Sequence, residues 1–223
     1  MANRSYLYAL TNQPTGFEDR PERVTGLTEF PYAIPFVSSL LVSVDTTVST
    51  SLIAPGLDGD DPARPTRLPA LSAPMAPGVD RLERFLAAVR AAAPEAQSLH
   101  RDGEEALEFL AGHREEFLQL ETIELDIMDY DDQSGFDEAI AGHLAAAEAA
   151  GAAVEALPRN DGEAGRVLRE AVASGAGVLA PFRGLRLDGE EPRDDGAPMG
   201  LSHWSTVLYF DVQNRAEFES GKP

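Results

Sequence analysis

Cysteine is missing from the 223-residue chain. Disulfides, thiolate zinc sites, iron–sulfur clusters and a cysteine nucleophile are excluded together. Positive charge is scarce: 18 Lys and Arg face 38 Asp and Glu, for a formal net charge of -20. Such a field repels a phosphate backbone, so no nucleic-acid partner is expected. Lys222 is the sole lysine; the preference for arginine runs along the whole chain and points to coding composition rather than to a site. Long apolar runs are lacking as well. Pro35 to Val44 and Ala139 to Leu157 are too short, or are interrupted by His143, Glu148 and Glu155, so no membrane partner is expected. No apolar secretory core follows Met1-Ala2-Asn3-Arg4, and a cytoplasmic location is the expectation.

What is present suits an ordinary core. A hydrophobic fraction of 43% over this length fits a single α/β domain spanning 1–223. Six prolines between Pro55 and Pro77 make 54–79 a Pro-rich loop or possible boundary.

Ser5 to Leu10, rich in aromatics and followed by Thr11-Asn12-Gln13-Pro14, predicts a first strand, and the segment onward to Pro31 predicts a loop. Ile34 to Ile53 is ambiguous, because Pro35 suits a helix start while the Val, Ser and Thr content suits strands. Asp80 with Glu83 predicts a helix over Arg81–Ala93, and Asp102 with Glu105 predicts another. Ile123, Leu125 and Ile127 alternate with Glu124, Asp126 and Met128, the period of a half-buried strand with an acidic face. Ser134 is placed to cap a helix carrying Phe136, Ile140, Leu144 and Ala147, which Gly151 would stop. Asp161 is placed to cap one carrying Ala164, Val167, Leu168, Ala171 and Val172. Ala152–Leu157, Val178–Phe182 and Trp204–Val212 are expected as strands, with a loop from Asp188 to Gly200. The fold class is therefore mixed α/β, with α+β possible, as a central sheet flanked by about four helices.

Acidity is local. Between Asp102 and Glu138, 14 acids accompany the single base Arg114. Glu121, Glu124, Asp126, Asp129, Asp131 and Asp132 form its densest part and are the partner-binding candidates, suited to a basic protein through charge complementarity. Four of them, Glu124, Asp126, Asp129 and Asp131, would alternatively supply oxygen ligands to a divalent ion that activates water in a hydrolase. The calcium-loop template fails, because Ser134 replaces the turn glycine and Ile140 the bidentate glutamate. A third reading is acidity for solubility alone.

No other catalytic pattern emerges. His100, His113, His143 and His203 have no metal-ligand spacing, and His113 and His143 are expected near helix ends. Nucleophile-elbow and phosphate-loop motifs are lacking, so no catalytic residue and no cofactor are assigned. Tyr6, Tyr8, Tyr32, Trp204 and Tyr209 are expected mainly in core packing.

The opening Met1-Ala2-Asn3-Arg4-Ser5-Tyr6-Leu7-Tyr8, with Gly26-Leu27-Thr28-Glu29, Tyr32-Ala33-Ile34-Pro35, Ser51-Leu52-Ile53 and Leu82-x-x-Phe85-Leu86, resembles a family of uncharacterised bacterial proteins, a domain of unknown function. The likeness spans roughly the first 90 residues, implies a bacterial source, and brings no catalytic residue with it. The leading expectation is a non-enzymatic acidic protein-binding module, such as an immunity or antitoxin-like inhibitor.

Overall fold

A computed structural model describes residues 3–57, 59–61, 65–188 and 198–221. Five strands, β1 (Arg4–Leu10), β2 (Val24–Pro31), β3 (Thr47–Thr50), β4 (Pro69–Pro74) and β5 (Phe117–Glu121), form one sheet in the order β2-β1-β5-β4-β3. Every neighbouring pair is antiparallel. The helices are α1 (Phe36–Leu41), α2 (Met75–Ala92), α3 (Gln97–Gly112), α4 (Ile123–Asp126), α5 (Gln133–Glu155), α6 (Asp161–Ser174) and α7 (Arg215–Ser220), with a 3-10 turn at Gly177–Phe182. The class is mixed α/β, in the α+β arrangement of an antiparallel sheet with α1, α2, α3, α5 and α6 on one face.

Strand alternation assigns the two faces. Leu7, Ala9, Leu71, Ala73, Leu118 and Leu120 point inward and join Phe36, Leu82, Phe85, Leu86, Val154, Leu168 and Phe182 in the main core. Tyr6, Tyr8 and Leu10 point to the other face and pack with Leu52 and Val212. Irregular chain covers that face: Tyr8 donates its hydroxyl to the Phe210 carbonyl (2.8 Å), and Leu208 lies so close over Gly26 that a Cβ there would be 2.8 Å away.

Several expected elements are displaced. The 54–79 stretch contains β4 and the start of α2, and β4 pairs with strands on both sides. Its prolines are tolerated by position. Pro69 and Pro74 occupy the two ends of the strand, while Pro77 lies in the first turn of α2, where its missing N–H forfeits no helical bond. Helix α2 thus begins six residues before Arg81, and Gly78 allows it to press on α1, since a Cβ would meet the Leu41 carbonyl oxygen at 2.0 Å. The expected loop before Pro31 holds β2, whose period is blurred by a bulge opposite Leu7 and Tyr8 and by burial of Leu27 and Thr28 together. The ambiguous 34–53 region contains both α1 and β3, with Pro35 as the cap rather than the first helical residue.

Farther along, α3 begins at Gln97, leaving Asp102 and Glu105 in its interior. The strand expected over Ile123–Met128 is a helical turn instead, and the strand is its predecessor β5; Ile123 and Ile127 fit helical spacing as well as alternation. Helix α5 is capped by Asp132 rather than Ser134 and continues through Gly151, absorbing the strand expected at Ala152–Leu157. His143 accordingly lies mid-helix, whereas His113 is the C-cap of α3. Helix α6 is capped by Asn160 rather than Asp161, which becomes its first residue, because the Asn160 side chain accepts from the Glu163 N–H. Val178–Phe182 falls in the 3-10 turn, and among the described residues Trp204–Val212 makes one bridge, Thr28 to Trp204. Residues 189–197 of the expected Asp188–Gly200 loop lie outside the described residues.

Candidate functional site

The six acidic candidates leave β5 along a short path: the strand ends at Glu121, α4 turns through Glu124 and Asp126, and Asp132 opens α5. Three of them are built into the fold. Glu121 is completely buried. Its Oε1 accepts from the Leu52 N–H (2.7 Å) and from Gln119 Nε2 (2.6 Å), while Oε2 has no partner. Burial pushes this carboxyl above its ordinary range, against the pull of its hydrogen bonds and of Arg20. Arg20 is itself buried, donates to the Leu52 carbonyl (2.8 Å), and lies over the Phe17 and Phe218 rings at 4.1 and 4.6 Å.

Glu124 turns back to β1, where its Oε2 accepts from the Arg4 N–H (3.1 Å) and the Tyr6 hydroxyl (2.8 Å). Burial first, and then this carboxylate, raise the Tyr6 hydroxyl above its ordinary pKa. Asp126, also buried, joins α4 to α5: Oδ1 lies 2.7 Å from His143 Nε2, and Oδ2 accepts from Thr122 Oγ1 (2.7 Å). With both carboxylate oxygens engaged, Asp126 acts as a tether.

The other three face water. Asp129 and Asp131 are exposed, and Asp132, also exposed, accepts from the Gly135 N–H (2.8 Å) as the α5 cap. Anchoring on both sides therefore presents Ile127, Met128, Asp129 and Asp131 outward, with Ile127 47% and Met128 56% exposed. Beside them opens a cleft of about 500 Å³, lined mainly by Ile53, Ala54, Leu57, Leu68, Ile123, Ile127 and Tyr130 and edged by Glu124 and Asp131, with no Lys or Arg among the described residues of its lining. Apolar floor and carboxylate edge together suit an apolar side chain flanked by a cation.

The proposed metal set is not assembled. Glu124 is committed to β1, Asp126 to α5, and Asp129 and Asp131 lie in the exposed turn. Among the described residues no three His, Asp or Glu side chains converge to hold an ion. The cleft's apolar wall, Ile53, Ala54 and Leu57, comes from the edge of the Pro-rich stretch; its sequence signal was the apolar run Leu52-Ile53-Ala54 next to a proline. Of the aromatics, Tyr6 and Tyr8 are buried, Trp204 packs against Phe109, and Tyr32 and Tyr209 are exposed. His203 is exposed, and its carbonyl accepts from Thr28 Oγ1 (3.3 Å).

Among the described residues no helix is long and apolar enough to cross a membrane. No curated protein and no solved structure matches the chain. A family model matches residues 11–160, a span that begins after the opening octet, takes in the whole acidic stretch and every residue of the cleft, and ends before α6. The chain belongs to that family, described as a domain of unknown function (DUF7822).

Proposed function

We propose that this protein is a non-enzymatic binding module of the immunity or antitoxin-like inhibitor kind, acting in a bacterial cytoplasm on a basic protein. The observation that carries the reading is the division of labour within the acidic stretch. Glu121, Glu124 and Asp126 hold the turn, so that Asp129 and Asp131 project beside exposed Ile127 and Met128 at an apolar cleft. Carboxylates serving solubility alone need neither a fixed turn nor an adjoining apolar recess. Interfaces, by contrast, combine apolar anchors with a charged rim that steers the partner. The net charge of -20 favours a cationic partner and disfavours nucleic acid.

The test is a low-salt pull-down from the host with the natural chain and with a variant carrying Ile127→Ser, Asp129→Asn and Asp131→Asn. A basic protein retained by the first, lost with the variant and released by added salt is the expected result. Failure to recover any basic protein above background, or equal retention by both chains, overturns the reading.

A further inference from the structure

The two edges of the sheet are treated differently. Strand β2 ends in Pro31, a bulge distorts its pairing with β1, and the C-terminal segment closes the rim: Ser205 donates its N–H to the Leu27 carbonyl (3.0 Å) and Trp204 bridges Thr28. These are ordinary protections against stray strand pairing. At β3 none of them is found among the described residues. Thr47-Val48-Ser49-Thr50 carries no charge, proline or bulge, and Val48 is 52% exposed. The Ser51 N–H bonds to the Leu68 carbonyl (2.8 Å). Alternation from that pair along the β3–β4 register turns the N–H and C=O of Val48 away from β4, toward the open side.

Along this edge runs a cleft of about 530 Å³, distinct from the acidic one. Its two walls are fixed. On one side Gln13 Nε2 donates to Thr47 Oγ1 (3.2 Å) and Ser49 Oγ donates to the Pro14 carbonyl (3.0 Å), side-chain contacts that leave the main chain of Val48 unengaged. On the other, Gln133 holds the main chain of Arg67 by both its N–H (2.9 Å) and its carbonyl (3.2 Å), and also donates to Asp137 (2.8 Å). Arg67 lines the cleft and is exposed, and no carboxylate pairs with its guanidinium among the described residues. Extending the register puts Arg67 beyond Pro69, the partner of the last β3 residue Thr50. A cation there meets an added strand where pairing stops, which suits the end of a chain.

We propose that β3 is a docking edge for the free C-terminus of a partner polypeptide, which adds as a sixth strand beside Thr47–Thr50 and sets its terminal carboxylate on Arg67. Main-chain bonds to Val48 supply the pairing, and the guanidinium selects a terminus over an internal segment. The inference does not rest on the acidic cleft, with which this one shares Leu68 in its lining.

The probe is a displayed library of random heptapeptides with free C-termini, selected on the full chain. Selected peptides are then synthesised as free acid and as amide and titrated by amide chemical-shift mapping. Expected are shifts confined to residues 47–50 and the cleft walls, about tenfold weaker binding in Val48→Pro, equivalent to the lost main-chain hydrogen bond, and weaker binding in Val48→Lys, whose charge on the edge opposes an added strand. Val48→Lys keeps the strand's own bonds and covers the case in which proline unfolds it. Arg67→Gln should weaken the free acid several-fold, to the level of the amide. The proposal fails if no peptide is enriched over the Val48→Lys background, if acid and amide bind equally, or if shifts map to 123–131. It also fails if sedimentation shows that β3 is occupied by a second copy of the chain, in an association abolished by Val48→Lys.

Discussion

The two faces of the sheet are buried to the same degree by opposite means. Leu7, Leu71, Leu118 and Leu120 on the inner face are no more than 1% exposed, and so are Ser72, Gln119 and Glu121 on the outer face. The first set needs only to be covered, because apolar burial has no direction. The second must be satisfied atom by atom: Ser72 Oγ donates to the Leu118 carbonyl, Gln119 Nε2 to the Thr50 carbonyl and to Glu121, and Leu52 N–H to Glu121. A helix layer can be exchanged for another of similar volume. The outer cover has to bring particular donors to particular places.

That difference is sharpest at Arg20. Arg20→Met keeps much of the side-chain volume between Phe17 and Phe218 but leaves the fully buried Glu121 without the cation near it. The expected loss is about 2–3 kcal/mol, since the Leu52 carbonyl loses a buried charged donor and the two ring contacts lose their cation. Urea unfolding measures it. The inner-face counterpart, Leu118→Ala, removes apolar contacts and is expected to cost about 2–3 kcal/mol. If the arginine variant loses less than about 1 kcal/mol, the outer face is held by packing after all and the contrast collapses.

A pH series tests the same contrast without removing a cation. The folded chain raises the Glu121 carboxyl above its ordinary 4.5, chiefly through burial. The native state therefore holds that proton more tightly than the unfolded chain does. The stability this provides is complete below pH 4.5 and is lost as pH climbs through the raised value. Glu121→Gln has no such proton to lose. Measured from pH 4 upward (about the unfolded carboxyl range), the stability of the natural chain relative to this variant should decline with rising pH. A constant difference would mean that Glu121 titrates alike in both states.

How legible each region is in the sequence follows from the same distinction. Elements held by apolar contact announce themselves: β1, α6 and the Phe136, Ile140 and Ala147 stripe of α5 bury their apolar residues as expected. Outer-face elements do not. In β5, Gln119 and Glu121 are polar yet fully buried, and Glu121 owes its place to Leu52, 69 positions away. Strand β4 was hidden because Pro69 and Pro74 look like breakers until their end positions are known. The candidate site divides in the same way. Exposure of Asp129, Asp131 and Asp132 could be anticipated from an acid-rich turn, whereas the inward fate of Asp126 depends on His143 across two helices. The apolar half of the cleft was concealed in the stretch that proline spacing marked as a loop.

The smallest expected effect on stability is also the most informative about function. Asp126→Asn removes the carboxylate that His143 and Thr122 share and should destabilise the fold by about 1–2 kcal/mol, because a buried charge-assisted bond is weakened at both ends. Asp129→Asn with Asp131→Asn touches exposed side chains and should change stability by less than about 0.5 kcal/mol. Thermal unfolding of the two variants side by side separates carboxylates that build the turn from those the turn presents. Exposed acids maintained only for structure would shift the melting midpoint when neutralised. Acids presented for recognition leave it in place and instead weaken capture of a basic partner, with the deficit shrinking as added salt screens the surviving charges.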